Sequence, residues 1–333
     1  MTVIPRPAAP ASPRWLDDFA WRDGRVVVRK TGVSLAIDHH LIREILSWLL
    51  YFPLLGGVAL AARLGRRSRF AVWYVPDQPR PWYLVRGAAL WAGLSVAPTE
   101  ALADATFYFD DVTRGNPPAT RLLPRFNFAC TDVSKSHVAE VFADVFGYPL
   151  QLDPAKTNGL IVEKSETNGV HDGFVVMAPV RRQPGRAYQR LIDTEAEGFN
   201  HDLRTPCVGG VPVVVWHKYK PAGQSFAIHS QRTRLRDPSE VFSPGELVLI
   251  RRFNARMGLD WGGLDILRDR HDGRIYVVDV NKTDLGPVIS LSWRDKIVSM
   301  NRLAAAMDAM VRNGTPAQGG SCDPGPSPGS IPL

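Results

Sequence analysis

Residues 258–283, GLDWGGLDILRDRHDGRIYVVDVNKT, constrain the fold more than any other stretch of this chain. Two apolar runs flank an Asp272-Gly273 turn, which is the signature of a β-hairpin. The second run, Ile275 to Val278, ends abruptly in Asp279-Val280-Asn281-Lys282. Alternation along a strand puts Asp279 and Asn281 on one face and Val280 on the other. Asp265 stands fourteen positions before Asp279, so pairing across the turn can bring Asp265, Asp279 and Asn281 onto one surface. Two carboxylates and an amide are hard oxygen donors of the kind that Mg²⁺ prefers and commonly shares with substrate phosphates. An ordinary strand end closed by an Asx turn would look the same in isolation.

Upstream, the texture alternates between strands and helices. Strands are predicted at 70–75, 105–109, 160–162 and 174–177, with a short helix over 87–94 and an amphipathic one over 133–147 that Gly147 stops. Further helices are predicted near 244–257 and over 295–311. Residues 1–14 and 313–333 are rich in Pro, Ala, Gly and Ser and read as a flexible and a disordered tail.

Three more features can carry chemistry. Lys164 ends a strand and leads into the glycine-bearing loop SETNGVHDG, which includes Gly169, His171 and Gly173. A lysine there can neutralise phosphate oxygens while loop N–H groups cover them. No GxxxxGK[ST] loop occurs in the chain. Next comes Tyr188-Gln189-Arg190-Leu191-Ile192-Asp193 with Glu195 beyond it, a short apolar element followed by acids. Last is Asp202-Leu203-Arg204, a Gly209-Gly210 turn, and a strand on which Lys218 and Lys220 share a face. Solvated strand faces and a plain hairpin are the alternatives for each piece taken alone.

In this order the four features resemble the ATP-grasp superfamily of carboxylate ligases, over roughly residues 130–311. The matching pieces are VEKSETNGVHDG, YQRLID, the DLR…VGG hairpin and DIL…VVDVN. The resemblance implies an α/β (α+β) fold in which two α+β subdomains grip ATP. A small α/β domain at 15–129 would precede an ATP-grasp domain at 130–312. It further implies Lys164 on the ATP phosphates, with Gly169 and Gly173 in the covering loop. Adenine and ribose contacts would come from Gln189, Arg190, Leu191, Ile192, Asp193 and Glu195. Asp265, Asp279 and Asn281 would hold Mg²⁺ (or Mn²⁺), and Lys218 or Lys220 would join Lys164 in offsetting charge on the transferred group. The family usually carries glutamate where Asp279 stands, and the shorter side chain reaches less far. The implied reaction is ATP-dependent activation of a small-molecule or peptide carboxylate as an acyl phosphate for attack by an amine. A kinase using the same site, and a membrane-associated nucleotide-binding module without catalysis, stay open. An arginine among Arg251, Arg252 and Arg256 could bind the substrate carboxylate.

The net charge of +7 and a pI near 9.5 favour anionic partners. Nucleic acid is not among those expected, because the chain has no zinc-finger spacing, aromatic RNA-binding signature or dense basic run. Cys130, Cys207 and Cys322 are scattered, which points to a reducing cytoplasm. One stretch complicates that location. Residues 45–64 carry no charge before Arg63, and RLGRRSR follows at 63–69. A buried helix, a peripheral membrane contact and a membrane span all stay open for it, and Pro53, Gly56 and Gly57 could divide it into two short helices.

Overall fold

The computed structural model describes residues 15–22, 24–29, 34–37, 39–65, 69–170, 172–223 and 230–314 of the 333-residue chain. Both predicted tails, His171 and two of the arginines after the apolar run, Arg66 and Arg67, lie outside the described residues, apart from the last two helical positions at 313–314.

The fold is mixed α/β. Strands β1 (Phe19–Arg22), β2 (Arg25–Val28) and β3 (Ser34–Ala36) form an antiparallel meander. Helix α1 (His39–Leu64) follows, one continuous helix of 26 residues with Pro53 inside it. The Pro-Gly-Gly interruption therefore does not divide it. Strands β4 (Ala71–Pro76), β5 (Ser95–Val96), β6 (Ala105–Phe109) and β7 (Arg125–Phe126) make a parallel sheet in the order β5-β4-β6-β7. Helix α2 (Leu84–Ala92) crosses over between β4 and β5 and ends at Gly93, whose φ of 82° gives the left-handed cap that glycine adopts without strain.

Helix α3 (Lys135–Phe146) leads into a three-stranded antiparallel sheet, β8 (Gly159–Ser165), β9 (Phe174–Ala178) and β10 (Arg186–Arg190), with β8 in the middle. The larger sheet contains β11 (Glu195–Ala196), β12 (Phe199–Val208), β13 (Val211–Pro212), β14 (Val215–Pro221), β15 (Arg232–Arg236), β16 (Trp261–Arg268) and β17 (Ile275–Asn281). Its main path runs β15-β14-β12-β16-β17. Helices α4 (Pro238–Val241) and α5 (Pro244–Met257) precede the β16–β17 hairpin, and α6 (Trp293–Gly314) closes the described chain. Ser243 and Glu246 form a reciprocal capping box that fixes the start of α5.

Burial explains the placement. Val138, Phe142 and Phe146 of α3, Ile250 and Phe253 of α5, and Leu264, Ile266, Val277 and Val280 of the hairpin share one core. A second core joins α2 and the parallel sheet to α6, through Leu84, Ala88 and Phe107 on one side and Met300, Leu303 and Met307 on the other. The expected boundary at 129/130 assigns α6 to the second domain, whereas its apolar face packs on α2 of the first.

Candidate functional site

In the β16–β17 hairpin Asp265 stands directly opposite Asp279, and Gly263 opposite Asn281, with a bulge between Asp265 and Ile266. The alternation that buries Leu264 and Val280 turns Asp265, Asp279 and Asn281 together onto the other face. Around them the fold gathers cations from three distant elements.

Lys135 is the first residue of α3, and its buried ammonium ion-pairs with Asp279 and donates to Asn168 Oδ1 at 2.8 Å. Lys164, on the central strand β8, donates from Nζ to the Val278 carbonyl at 2.9 Å, which joins the small sheet to the hairpin. Burial pushes the Lys164 ammonium down to about 8, with Asp279 opposing the shift and Lys135 adding to it. Arg204 lies opposite Asp265 in the β12–β16 ladder and sets Nη1 2.8 Å from Asp265 Oδ1. Its other terminal nitrogen pairs with Asp284, a fully buried carboxyl. Burial works against the charge on Asp265, yet Arg204 and then Lys218 outweigh it and hold that carboxyl well below the usual range. Asp284 goes the other way: burial pushes it up to about 6, with Arg204 only partly compensating.

Lys218 and Lys220 do converge, but on a carboxylate. Their ammonium groups lie 3.8 Å and 3.5 Å from Asp202 Oδ2, and Lys218 also sits 3.9 Å from Asp265. Lys135, Lys164, Arg204, Lys218 and Lys220 thus surround Asp202, Asp265, Asp279 and Asp284. This arrangement holds a surplus of positive charge for an anionic ligand.

The two glycines of WGGLD allow this packing. A β-carbon on Gly263 would collide with Asp284 and Arg204, and one on Gly262 would sit 2.7 Å from the Asn281 carbonyl oxygen.

The loop after Lys164 folds onto the site. Asn168 reaches both Lys135 and Asn281, at 2.8 Å and 3.1 Å. Glu166 accepts from the Ser136 N–H at 2.9 Å and so caps the start of α3. Gly169 has a φ of 77°, the left-handed conformation that turns the loop, whereas Gly173 has ordinary backbone. Arg186 ties the far side of the loop to Glu163 at 2.9 Å and to Asp172.

The segment after β10 is partly committed elsewhere. Gln189 is buried, with Nε2 3.5 Å from the Lys135 carbonyl. Arg190 is exposed and lies 3.4 Å from Asp269, Leu191 is half-buried, and Ile192 belongs to the core. Asp193 is held by Arg270 at 2.8 Å, by the Glu195 N–H at 3.0 Å and by His271 at 3.2 Å. Despite the opposing effect of burial, those partners lower the Asp193 pKa. Glu195 pairs through its backbone with Asn200 and, of the two acids, is the one whose carboxylate has no partner among the described residues.

Arg251, Arg252 and Arg256 are all exposed on the outer side of α5 and take no part in the cluster, so they do not serve as its substrate-carboxylate ligand. The arginine brought to the site is Arg204. Lys135, Asn168 and Asp284 also belong to the site, and the sequence patterns assign none of them an individual role there. A signal for Lys135 existed: a cation in the first turn of a helix opposes the helix dipole and calls for a carboxylate nearby. Lys282 is a further case. It is buried over the Tyr108 ring at 5.0 Å, and its ammonium finds no hydrogen-bond partner among the described residues.

Among the described residues no three His, Cys, Asp or Glu side chains gather as a metal cluster. A cation site here would rest on Asp265, Asp279 and the Asn281 amide. Their oxygens suit Mg²⁺, and the two carboxylates already pair with Arg204 and Lys135, so they attract cations in this fold.

No protein-family model matches the sequence, and the search of curated proteins gives no match. Solved structures do show a likeness. The ATP-grasp ligase PsnB, complexed with precursor peptide PsnA2 and AMPPNP, is 13% identical over 74% of this chain and 98% of that one, with a TM-score of 0.45. A PsnB complex with a phosphomimetic precursor variant, Mg and ADP is matched over 62% of its own length, at 16% identity over 56% of this chain and a TM-score of 0.37. The RimK domain ATP-grasp protein from Sphaerobacter thermophilus is 17% identical over 73% of this chain and 99% of that one, with a TM-score of 0.41.

Proposed function

We propose that this chain is an ATP-grasp enzyme that uses ATP to join a substrate carboxylate to an amine. What carries the reading is one arrangement: Lys164 of the small sheet meets the end of β17, where Asp279 and Asn281 face Asp265, Lys135 and Arg204. Phosphoryl transfer asks a protein mainly for alignment and charge neutralisation, and this cluster supplies both. The amide and carboxylates of Asn281, Asp265 and Asp279 would hold Mg²⁺, which when bound supplies charge neutralisation between the terminal phosphates of ATP.

Lys135 and Lys164 bind the phosphate oxygens, the latter as an ammonium whose proton the nucleotide charge retains. Arg204, held on two sides by Asp265 and Asp284, orients the substrate carboxylate beside the γ-phosphate. A carboxylate oxygen then forms a bond to the γ-phosphorus as the bond to ADP breaks. The amine nitrogen attacks the acyl carbon, phosphate leaves, and the nitrogen gives up a proton. Lys218 and Lys220 offset the charge that develops during transfer. Glu195, with its unengaged carboxylate just beyond β10, accepts the ribose hydroxyls.

The test is release of phosphate and ADP from ATP and Mg²⁺ across panels of carboxylates and amines. Turnover that requires both acceptors supports ligation. Turnover with a hydroxyl acceptor alone would make the protein a kinase, and ATP affinity without turnover in any panel would leave a binding module.

A further inference from the structure

We propose that α1 lies flat on an anionic lipid surface and docks the folded enzyme there through its outward half. Helix α1 is apolar all round, a composition found in helices that are covered on every side. Yet among the described residues only one side is covered by protein. Tyr51, Leu55, Ala59 and Ala62 recur at helical spacing and are buried, and Tyr51 and Leu55 belong to the core shared with α2. Lys296 of α6 donates to Ser47 at 3.0 Å on the same element.

The opposite side is open along the whole length. Ile45, Leu46, Leu49, Leu50, Leu60 and Leu64 are all exposed, Leu50 at 65% and Leu64 at 77%. At 3.6 residues per turn, these positions fall in one arc of about 140°, in which the one charged residue after Ile45 is Arg63, at the edge of the arc in line with Ile45. Among the described residues this is the one helix long and apolar enough to cross a membrane, and only 22% of its window Ile45–Ala62 is buried.

The packing decides how the helix meets a bilayer. From Ser47 to Ala62 its inner side is fastened to an α/β domain with a charged surface. Crossing the membrane would carry that domain into the hydrocarbon, so the helix axis must lie in the plane of the interface. Charge selects the occupant. Arg63, Arg66, Arg67 and Arg69 close the segment, and from Ile45 to Pro76 there is no acidic residue. A second copy of α1 would offer these four arginines one carboxylate, Glu44, which already has Arg43 beside it in sequence, whereas anionic headgroups complement all four. Each arginine near such a surface adds roughly fivefold to partitioning, so four of them suit attachment by a helix that buries only one side. The inference rests on α1 and its flank and does not depend on the nucleotide site.

The experiment is flotation of the full chain with phosphatidylcholine vesicles, with or without phosphatidylglycerol. The protein should float with the anionic vesicles at low salt, and both neutral vesicles and high salt should lower the bound fraction about tenfold. Leu49→Glu with Leu60→Glu should abolish flotation while leaving the thermal midpoint unchanged, since both side chains are exposed. Arg66→Glu with Arg67→Glu should remove the salt dependence together with most of the binding. If the leucine pair impairs folding, the lipid and salt series on the wild-type chain decides. Absence of flotation with anionic vesicles, or equal flotation with both kinds, overturns the proposal. Retention through an alkaline wash would make α1 a span, and a detergent-free dimer dispersed by Leu49→Glu would make its face a protein interface. Either result overturns the proposal too.

Discussion

Lys135, at the start of α3, ion-pairs with Asp279, 144 residues later near the end of β17. The pair joins the first helix after the parallel sheet to the strand at one end of the large sheet. It also leaves Asp279 with a cation on one side and the open face shared with Asp265 and Asn281 on the other.

Asp279→Asn should therefore lower Mg²⁺-dependent ATP turnover by roughly 100-fold or more, because a neutral amide holds neither the cation nor Lys135 as a carboxylate does. The fold should persist, since Asp279 is partly exposed and its strand is held by Val277 and Val280 in the core. Turnover measured against Mg²⁺ concentration checks it, and an unchanged metal dependence would remove Asp279 from the cation site.

Lys164→Ala should weaken ATP by about 2 kcal/mol while leaving adenosine nearly unaffected, because a lysine acts on phosphate charge. Titration calorimetry with both ligands separates the outcomes. Equal losses would place Lys164 at the base or in the fold instead.

The Lys164 ammonium also predicts a pH dependence. Its folded value of about 8 lies below the ordinary lysine value of about 10.4. ATP favours the protonated form, so its affinity should hold steady below pH 8 and fall by up to about tenfold per unit above it. Between the two values the unfolded chain holds a proton that the folded one has lost. Stability of the free protein should accordingly rise with pH over that window. Lys164→Met should flatten both curves, measured as ATP affinity and as the midpoint of denaturant unfolding.

Gly263→Ala tests the packing beneath the site. The added methyl would meet Asp284 and Arg204 inside van der Waals contact. The expected cost is about 1–3 kcal/mol of stability, as in other overpacked interiors, with Arg204 displaced from Asp265. Thermal unfolding reads the first effect and loss of turnover the second, while a fully tolerated methyl would show that the Arg204–Asp284 pair has room to move.

The hairpin that holds Asp265 and Asp279 is legible in the sequence because alternation and a Gly-bearing turn are local signals. The strand carrying Lys164, helix α3 and the helix over Pro244–Met257 are legible for the same reason, each within a few residues of its observed bounds. The partners are not. Lys135 reads as a surface lysine until the large sheet brings Asp279 beneath it, and Asp284 reads as a turn residue until Arg204 arrives from 80 positions away. Arginines of α5 next to the hairpin in sequence point outward, while one from β12 points in, because register rather than proximity along the chain sets the neighbours of a strand. Helix α1 shows a different limit. Its apolar character is plain in the sequence, but which half meets protein depends on the place where α2 packs.

The seating of α6 on α2 has a consequence for how the molecule is made. Trp91 donates its indole N–H to Asn301, 210 residues further on, and Met300, Leu303 and Met307 complete the core that Leu84 and Ala88 begin. While a ribosome is still building the large sheet, that early half-core has no lid, and its apolar side must wait in water or in the hands of a chaperone. The whole stretch from α2 to α6 has to emerge before the parallel sheet is sealed, so α6 acts as a latch on that early sheet rather than as an appendage to the large one.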